Sequence, residues 1–493
     1  MASTSQSSAS SPHTKPPLAS LISTHDFENA ASRTLTPKAW AFISSAATDL
    51  TTRRRNVSAF ADISLRPRTL RDVSSIDLSA SMLGRRMRMP LFCSPAAMAS
   101  LVHPDAEKAI GTACKASGIA QCVSTSASYP LRDIVAAIDA HPVDTPHDTP
   151  VFFQLYVDKN RDNTRRLIQG ARSAGAQALF VTIDAAVPGK READERVPAD
   201  VPITSPLSGT AATNDAKGSS IGRTMGAFID PSLCWADIPW LRSVAPGMPI
   251  VLKGIQTSED AVLAMEAGVD GIVVPNHGGR SLDTAPATIL ILLELRKNCP
   301  EIFDRMDVCV DGGIRRGTDI FKALCLGAKA VGIGRGPLFA VNYGYEGVLK
   351  YIESMLVINI PVTCATAPPL RLLTAQSPER RAGNDNEAVW SDEPGPTSPR
   401  ISEYARRRPP HPGEAKCRFG DAHQEPTVVP CLFSKCLSAR SGATHHVRRP
   451  CLLPRLFSSV NSLTIDYLKR LQTMRIESCE SFALNMDMLR PDP

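Results

Sequence analysis

A histidine and an arginine three residues apart, set between glycines, carry the most legible chemistry in this chain. They lie in Val274-Pro275-Asn276-His277-Gly278-Gly279-Arg280, directly after the apolar run 271–274. Imidazole titrates near neutral pH, so His277 is the natural proton acceptor. The Arg280 guanidinium can grip a carboxylate with two parallel hydrogen bonds. Together they offer a base and an anion clamp within one small site. Asp184 ends another apolar run and is the residue type that orients a catalytic imidazole and stabilises its charged form. A second pattern binds phosphate. It comprises Asp311-Gly312-Gly313-Ile314-Arg315-Arg316-Gly317 and Gly332-Ile333-Gly334-Arg335. Glycine lets backbone N–H groups approach an anion, and the arginines add charge.

These residues need a scaffold that brings distant segments to one mouth. Eight apolar, β-branched-rich runs supply it, at 91–98, 119–125, 151–157, 178–184, 249–255, 271–276, 308–313 and 330–335. Amphipathic stretches at 105–117, 163–174, 258–267 and 318–326 alternate with them. Fully apolar strands alternating with helices predict a parallel sheet covered on its outer face. Eight such units predict an α/β fold, a (β/α)8 TIM barrel, whose chemistry sits at the C-terminal ends of the strands. The two glycine-rich motifs then fall after strands seven and eight, the usual phosphate position of such barrels. No Gly-x-Gly-x-x-Gly follows the first strand, which argues against a dinucleotide fold.

Residues 1 to about 20 are rich in Ser and Pro and are expected to lack order. An N-terminal helical segment follows, with helix starts at Ser23/Thr24 and at Thr36-Pro37. Residues 21–356 are expected to form the barrel unit. The long gap between the fourth and fifth strands predicts a lid insertion at about 190–245. Beyond it, 357–493 turns to Pro, Arg and scattered Cys without periodicity, and is expected to be a disordered C-terminal tail.

Composition narrows the class. The chain has 493 residues and a formal net charge of +6, too mild to argue for nucleic acid, and its basic tail has few interleaved aromatics. No stretch approaches the roughly 18 uncharged apolar residues of a membrane span. The thirteen cysteines form no Cys-x-x-Cys pair, so no metal is expected and buried reduced thiols are. No secretory signal is legible at the N-terminus. The expected location is intracellular, cytoplasmic by default, with the mitochondrion and peroxisome left open.

The barrel motifs together resemble the FMN-dependent 2-hydroxy-acid oxidase and dehydrogenase family, which includes glycolate oxidase, lactate oxidase and the flavin domain of flavocytochrome b2. The pieces that carry the resemblance include Leu65-Arg66-Pro67-Arg68, Ser94-Pro95-Ala96-Ala97-Met98, Phe153-Gln154-Leu155-Tyr156-Val157 and Val181-Thr182-Ile183-Asp184. Gly189-Lys190-Arg191-Glu192-Ala193-Asp194, Val251-Leu252-Lys253-Gly254 and 276–280 continue the series, which ends in the two glycine-rich motifs. The texture is nearest to the fungal flavocytochrome-b2-like L-lactate dehydrogenase branch, without a cytochrome b5 domain ahead of the barrel. The resemblance implies FMN as cofactor and a small 2-hydroxy acid as substrate. Oxygen or a separate electron acceptor would take the electrons, and the protein would form a homo-oligomer, a tetramer in most of the family. It implies that His277 takes a proton while the flavin accepts hydride; a carbanion route suits the same residues. Tyr156 would bond the substrate oxygen, Arg280 and Arg191 its carboxylate, and Lys253 the N1/O2 edge of the flavin. Gln154 and Thr182 would contact the flavin ring, and Pro95, Ala96, Ala97 and Ser124 would also bind the cofactor. Asp311, Gly312, Gly313, Arg315, Gly334 and Arg335 would hold its ribityl phosphate end.

The chain departs from the family pattern at four places. Phe42 stands where the family has a substrate-binding Tyr, so a hydroxyl donor is missing. Ser126 stands where several members carry a bulky pocket residue, which predicts a larger or wetter pocket. Pro275 precedes Asn276-His277, where it would remove a strand N–H, and Gly336 interrupts the family's Gly-Arg-Pro. The last barrel helix runs into Ile360-Pro361, which predicts an uncovered flank if that helix is lost. Two other readings share these motifs. A phosphate-binding barrel of another class, an isomerase or nucleotide dehydrogenase, would not need His277, Arg280, Lys253 and Tyr156 together. An inactive barrel with a damaged C-terminus would keep them without using them.

Overall fold

Eight short strands with no exposed residue other than a half-buried Asp307 close into a parallel barrel in the computed structural model. The structure describes residues 14–356 except 68, 71–73, 144–148, 200–202, 205–210 and 213–220. The strands are β1 (Leu91–Cys93), β2 (Ala120–Ser124), β3 (Val151–Leu155), β4 (Leu179–Thr182), β5 (Ile250–Lys253), β6 (Gly271–Val274), β7 (Asp307–Asp311) and β8 (Ala330–Ile333). Each pairs with the next, and β8 closes on β1 through Ile333↔Cys93. All eight apolar runs therefore become barrel strands, each within or one residue outside the run. Such continuous burial is what a sheet covered on both faces requires.

The helices are α1 (Thr24–Thr34), α2 (Pro37–Ser44), α3 (Thr51–Ser58), α4 (Ala106–Ser117), α5 (Leu131–Ala140), α6 (Arg161–Ser173), α7 (Glu192–Arg196) and α8 (Ile221–Gly226). They continue with α9 (Ile238–Val244), α10 (Ser258–Glu266), α11 (Thr288–Asn298), α12 (Ile302–Arg305), α13 (Gly317–Cys325), α14 (Arg335–Ala340) and α15 (Gly344–Leu356). Local chemistry sets their ends. The Thr36 hydroxyl accepts from Ala39 N at 3.2 Å and Pro37 opens α2, the arrangement its sequence predicts. Gly118, left-handed at φ 67°, ends α4.

Strand alternation divides the barrel interior into layers. Phe92, Cys122, Phe152, Phe180, Val251 and Cys309 pack inward with Met82 and Met87. Those methionines belong to a hairpin, Ala80–Met82 and Arg85–Met87, whose Leu83 N–H donates to Asp307 at the start of β7. The hairpin thus stoppers the N-terminal end of the barrel. Two residues further along the same strands the inward side chains are Ser94, Ser124, Gln154, Thr182, Lys253 and Asp311. Period-two alternation therefore raises a polar layer directly on an apolar one.

Four expectations change. Residues 14–20 are ordered: the Tyr343 hydroxyl donates to Pro16 O at 2.9 Å, and Lys350 Nζ donates to Leu18 O at 2.7 Å. These carbonyls are taken by donors on and beside α15, which ties the segment down. The insertion expected to reach 245 ends earlier, because α9 buries Ile238 and Leu241 in the barrel core. Pro275 costs no ladder bond, since β6 stops at Val274. The last helix is present: α15 packs on α4 and buries Val348, Tyr351, Ile352 and Met355 at helical spacing. Residues 1–13, the tail at 357–493 and much of the middle of the expected lid lie outside the described residues.

Candidate active site

Every catalytic, cofactor-binding and substrate-binding candidate named from the sequence, Asp184 excepted, lines one cavity of about 720 Å³ at the C-terminal mouth of the barrel. Asp184 stands directly behind it. Its Oδ1 lies 2.9 Å from His277 Nδ1, and its side chain has no exposed surface. Burial pushes the Asp184 carboxyl up, but the His277 ring and the Lys253 ammonium outweigh this and hold it below its ordinary range. An ionised carboxylate can only accept, so Nδ1 carries the proton and Nε2 presents its lone pair. That lone pair faces the Tyr156 hydroxyl at 3.3 Å. Burial and the Asp184 charge push the Tyr156 phenol up to about 12, so it stays a donor. Burial lowers the His277 pKa more than Asp184 raises it, which favours a neutral base. His277 has φ 55°, a left-handed conformation uncommon for a residue with a side chain and concentrated at working sites.

Arg280 is held by main chain. Its Nη1 donates to Phe42 O, Ile43 O and Ser45 O at 2.9, 3.1 and 3.0 Å, around the end of α2. Its guanidinium lies 5.1 Å from the Phe42 ring centroid. The aromatic ring at position 42 therefore supports the arginine even without a hydroxyl. Arg191 approaches from the start of α7, with Nε 3.5 Å from Arg280 O. A side chain on Gly222 would meet the Arg191 guanidinium at 2.6 Å, so α8 backs that arginine closely. Burial and neighbouring Arg191 and Arg335 push the Arg280 pKa well down. A bound carboxylate relieves this crowding of like charges.

The polar layer is pre-oriented by its own bonds. Gln154 Oε1 accepts from the Ser124 hydroxyl and Thr125 N–H, each at 3.1 Å, and Nε2 donates to the Thr182 hydroxyl at 3.0 Å. Lys253 pairs with Thr182 in the β4–β5 register. Its ammonium is 3.9 Å from Asp311 Oδ2, an oxygen that also accepts from Ser94 at 2.9 Å. Burial lowers the Lys253 pKa, but Asp311 and Asp184 overcome it and the net shift is upward, which keeps the ammonium charged.

The glycine-rich motifs meet beside α3. Arg315 and Arg53 both reach Glu28 on α1, and Arg335 Nη2 donates to Gly278 O at 2.8 Å. Two guanidiniums thus share one carboxylate, the third stands near it, and positive charge is in excess. Burial, with Arg53 and Arg315 nearby, pushes Arg335 down to about 9. A phosphate dianion would reverse that crowding. Gly313, at φ 81°, lets the loop pass Asn56 O, which a Cβ would meet at 1.9 Å. A Cβ on Gly334 would meet only open space out to 4.0 Å. The residues present fit FMN: Arg315, Arg335 and the bare glycines for its phosphate, and Lys253, Gln154 and Thr182 for the polar edge of its ring.

The sequence reading missed the residues that hold this mouth together. Asn56 and Asn276 exchange amide hydrogen bonds at 2.7 Å and tie α3 to the end of β6. Asp283 accepts from Thr52 N–H, Asp49 N–H and the Thr48 hydroxyl at the start of α3. Lys38 on α2 and Asp194 on α7 form a buried ion pair at 2.7 Å. Each joins segments far apart in sequence, and no local spacing marks them.

Comparisons with known proteins agree with this fold. A peroxisomal (S)-2-hydroxy-acid oxidase of Oryza sativa subsp. japonica is 40% identical over 347 residues, covering 70% of this chain and 91% of that protein. An L-lactate dehydrogenase (cytochrome) of Saccharomyces cerevisiae is 38% identical over 76% of this chain, which spans 65% of that protein's length. The solved flavin-binding domain of baker's yeast flavocytochrome b2 superposes with a TM-score of 0.64 at 36% identity, covering 83% of this chain and 96% of its own. Among the described residues no helix is long and apolar enough to cross a membrane. The family described as FMN-dependent dehydrogenase matches residues 31–357, and the chain belongs to it as an FMN-dependent 2-hydroxy-acid oxidoreductase.

Proposed function

We propose that the chain oxidises a small L-2-hydroxy acid of the L-lactate type to the 2-oxo acid, with His277 as the base. The supporting observation is the Asp184–His277–Tyr156 chain, at 2.9 and 3.3 Å, beside the carbonyl-held Arg280. Arg280 and Arg191 bind the substrate carboxylate and fix its orientation. Tyr156 donates to the oxygen on the reacting carbon. His277 Nε2 removes the hydroxyl proton, and Asp184 stabilises the imidazolium that results. The O–H and α-C–H bonds break as the carbonyl forms. FMN, when bound, supplies the sink for the two electrons and the α-hydrogen. Oxygen or a separate acceptor then collects the electrons.

Anaerobic visible spectra of the FMN-loaded protein test this reading. L-lactate or a longer L-2-hydroxy acid should bleach the flavin, and D-lactate should not. Full flavin occupancy that no L-2-hydroxy acid bleaches would overturn the substrate assignment.

A further inference from the structure

We propose that the Tyr351 hydroxyl is a further ligand of the cofactor's phosphate, admitted to it by the gap that Gly336 leaves in the first turn of α14. Gly336 breaks the family's Gly-Arg-Pro, and its backbone is not what needs a glycine, for its φ is not left-handed. Space is what needs one. A Cβ at 336 would overlap the Tyr351 hydroxyl and Cζ and would meet Cε1 at 2.8 Å. Position 336 stays bare so that an aromatic side chain from α15 can lie against α14.

The ring is pinned and its polar tip is spare. It packs edge-on against Phe27 of α1, with centroids 5.4 Å apart, and the residue is only 2% exposed. A tyrosine buried this deeply normally gives its hydroxyl a protein partner. Among the described residues this side chain has ring contacts and no hydrogen bond; the Ser354 hydroxyl bonds its main-chain oxygen instead. Yet Tyr351 Oη is not one of the sealed, unpaired oxygens of the interior, so it keeps accessible surface. That surface opens on the catalytic cavity, which Tyr351 lines beside Gly334, Arg335, Gly336 and Arg315. Electrostatics places it at the phosphate end. Burial is the largest influence and pushes the phenol up; the charged groups acting on it are Arg315, which pulls it down, and Glu28, which adds to the rise. The hydroxyl therefore keeps its proton and can donate it to an anion. A neutral donor strengthens a phosphate site without adding to the crowding of Arg53, Arg315 and Arg335.

The inference concerns cofactor binding alone, so its test is independent of the hydroxy-acid reaction proposed above. Riboflavin is FMN without the phosphate, and the pair separates phosphate binding from ring binding. Flavin fluorescence, followed as the full-length apoprotein is titrated in, gives a dissociation constant for each. Tyr351→Phe keeps the ring against Phe27 and removes only the oxygen. It should raise the FMN dissociation constant roughly tenfold and leave that of riboflavin within about twofold. Gly336→Ala forces the ring out of its gap and should weaken FMN at least as much. Adding Tyr351→Phe to Gly336→Ala should then cost nothing further, because the contact is already gone. Unchanged FMN binding in Tyr351→Phe overturns the inference. An equal loss for both flavins also overturns it, since the change would then act on the shape of the cavity and not on the phosphate. Additive losses in the double variant do so too, because hydroxyl and gap would be acting separately. If Gly336→Ala fails to fold, the two flavins decide the matter on Tyr351→Phe alone.

Discussion

At the scale of single residues, the site is a set of groups whose environments fix their protonation. Burial lowers the His277 pKa and Asp184 partly restores it, so the ring is neutral at physiological pH, the state the proposed base requires. As pH falls His277 takes a proton and can no longer accept one from substrate. The acid limb of kcat/KM should therefore fall below the ordinary histidine value of about 6.5. Asp184→Asn removes the partner that raises this pKa and stabilises the imidazolium. It should cut kcat roughly 10²–10⁴-fold and move the acid limb lower still, as read by a pH series in steady-state kinetics. A full-rate enzyme with an unmoved limb would remove His277 from the role of base. The types of these residues were legible because the proposed base, clamp and phosphate loops each carry a local signature. Lys38, Asp194 and Asn56 carry none, because their partners lie 156 to 220 residues away.

At the scale of elements, three segments fasten the mouth: the α2–α3 turn, the loop before α7 and the loop after β6. Ala47 N–H donates to Gly279 O at 2.7 Å and Thr48 N–H to Lys190 O at 3.1 Å, so the turn bonds both loops. Asp283 then caps the start of α3. Burial pushes its carboxyl up, but the main-chain N–H groups of Thr52 and Thr284 and the Thr48 hydroxyl prevail and bring it to about 2. Its folded pKa lies below the unfolded value of about 3.9, so its stabilisation is fully present above that pH and is lost as pH falls through about 2. Asp283→Asn should lower the melting temperature at pH 6 and converge on the parent protein near pH 2, as followed by circular dichroism. An equal deficit at both pH values would show that the charge does nothing there. The strands were legible because a buried parallel strand reads as an unbroken apolar run. The end of the insertion was not: α9 is a seven-residue helix with Pro239 in its first turn, too short to show a period.

At the scale of the whole molecule, the barrel was legible from the eightfold alternation of runs and helices, and the two ends of the unit were not. Residues 14–20 looked unstructured because their order comes from donors on and near α15, more than 320 residues away. The last helix looked truncated because Ile360-Pro361 follows it, yet its buried face is complete by Met355. One feature of the interior bears on traffic. Among the described residues the Met82–Met87 hairpin seals the floor, which leaves the mouth at the strand ends as the approach for the proposed acid, its oxo product and a small electron acceptor. Two visitors cannot reach the ring together through one doorway already filled by the first. The oxo acid should leave before the acceptor enters, which gives parallel lines in double-reciprocal plots at varied acceptor concentration. Intersecting lines would mean that a second route reaches the flavin.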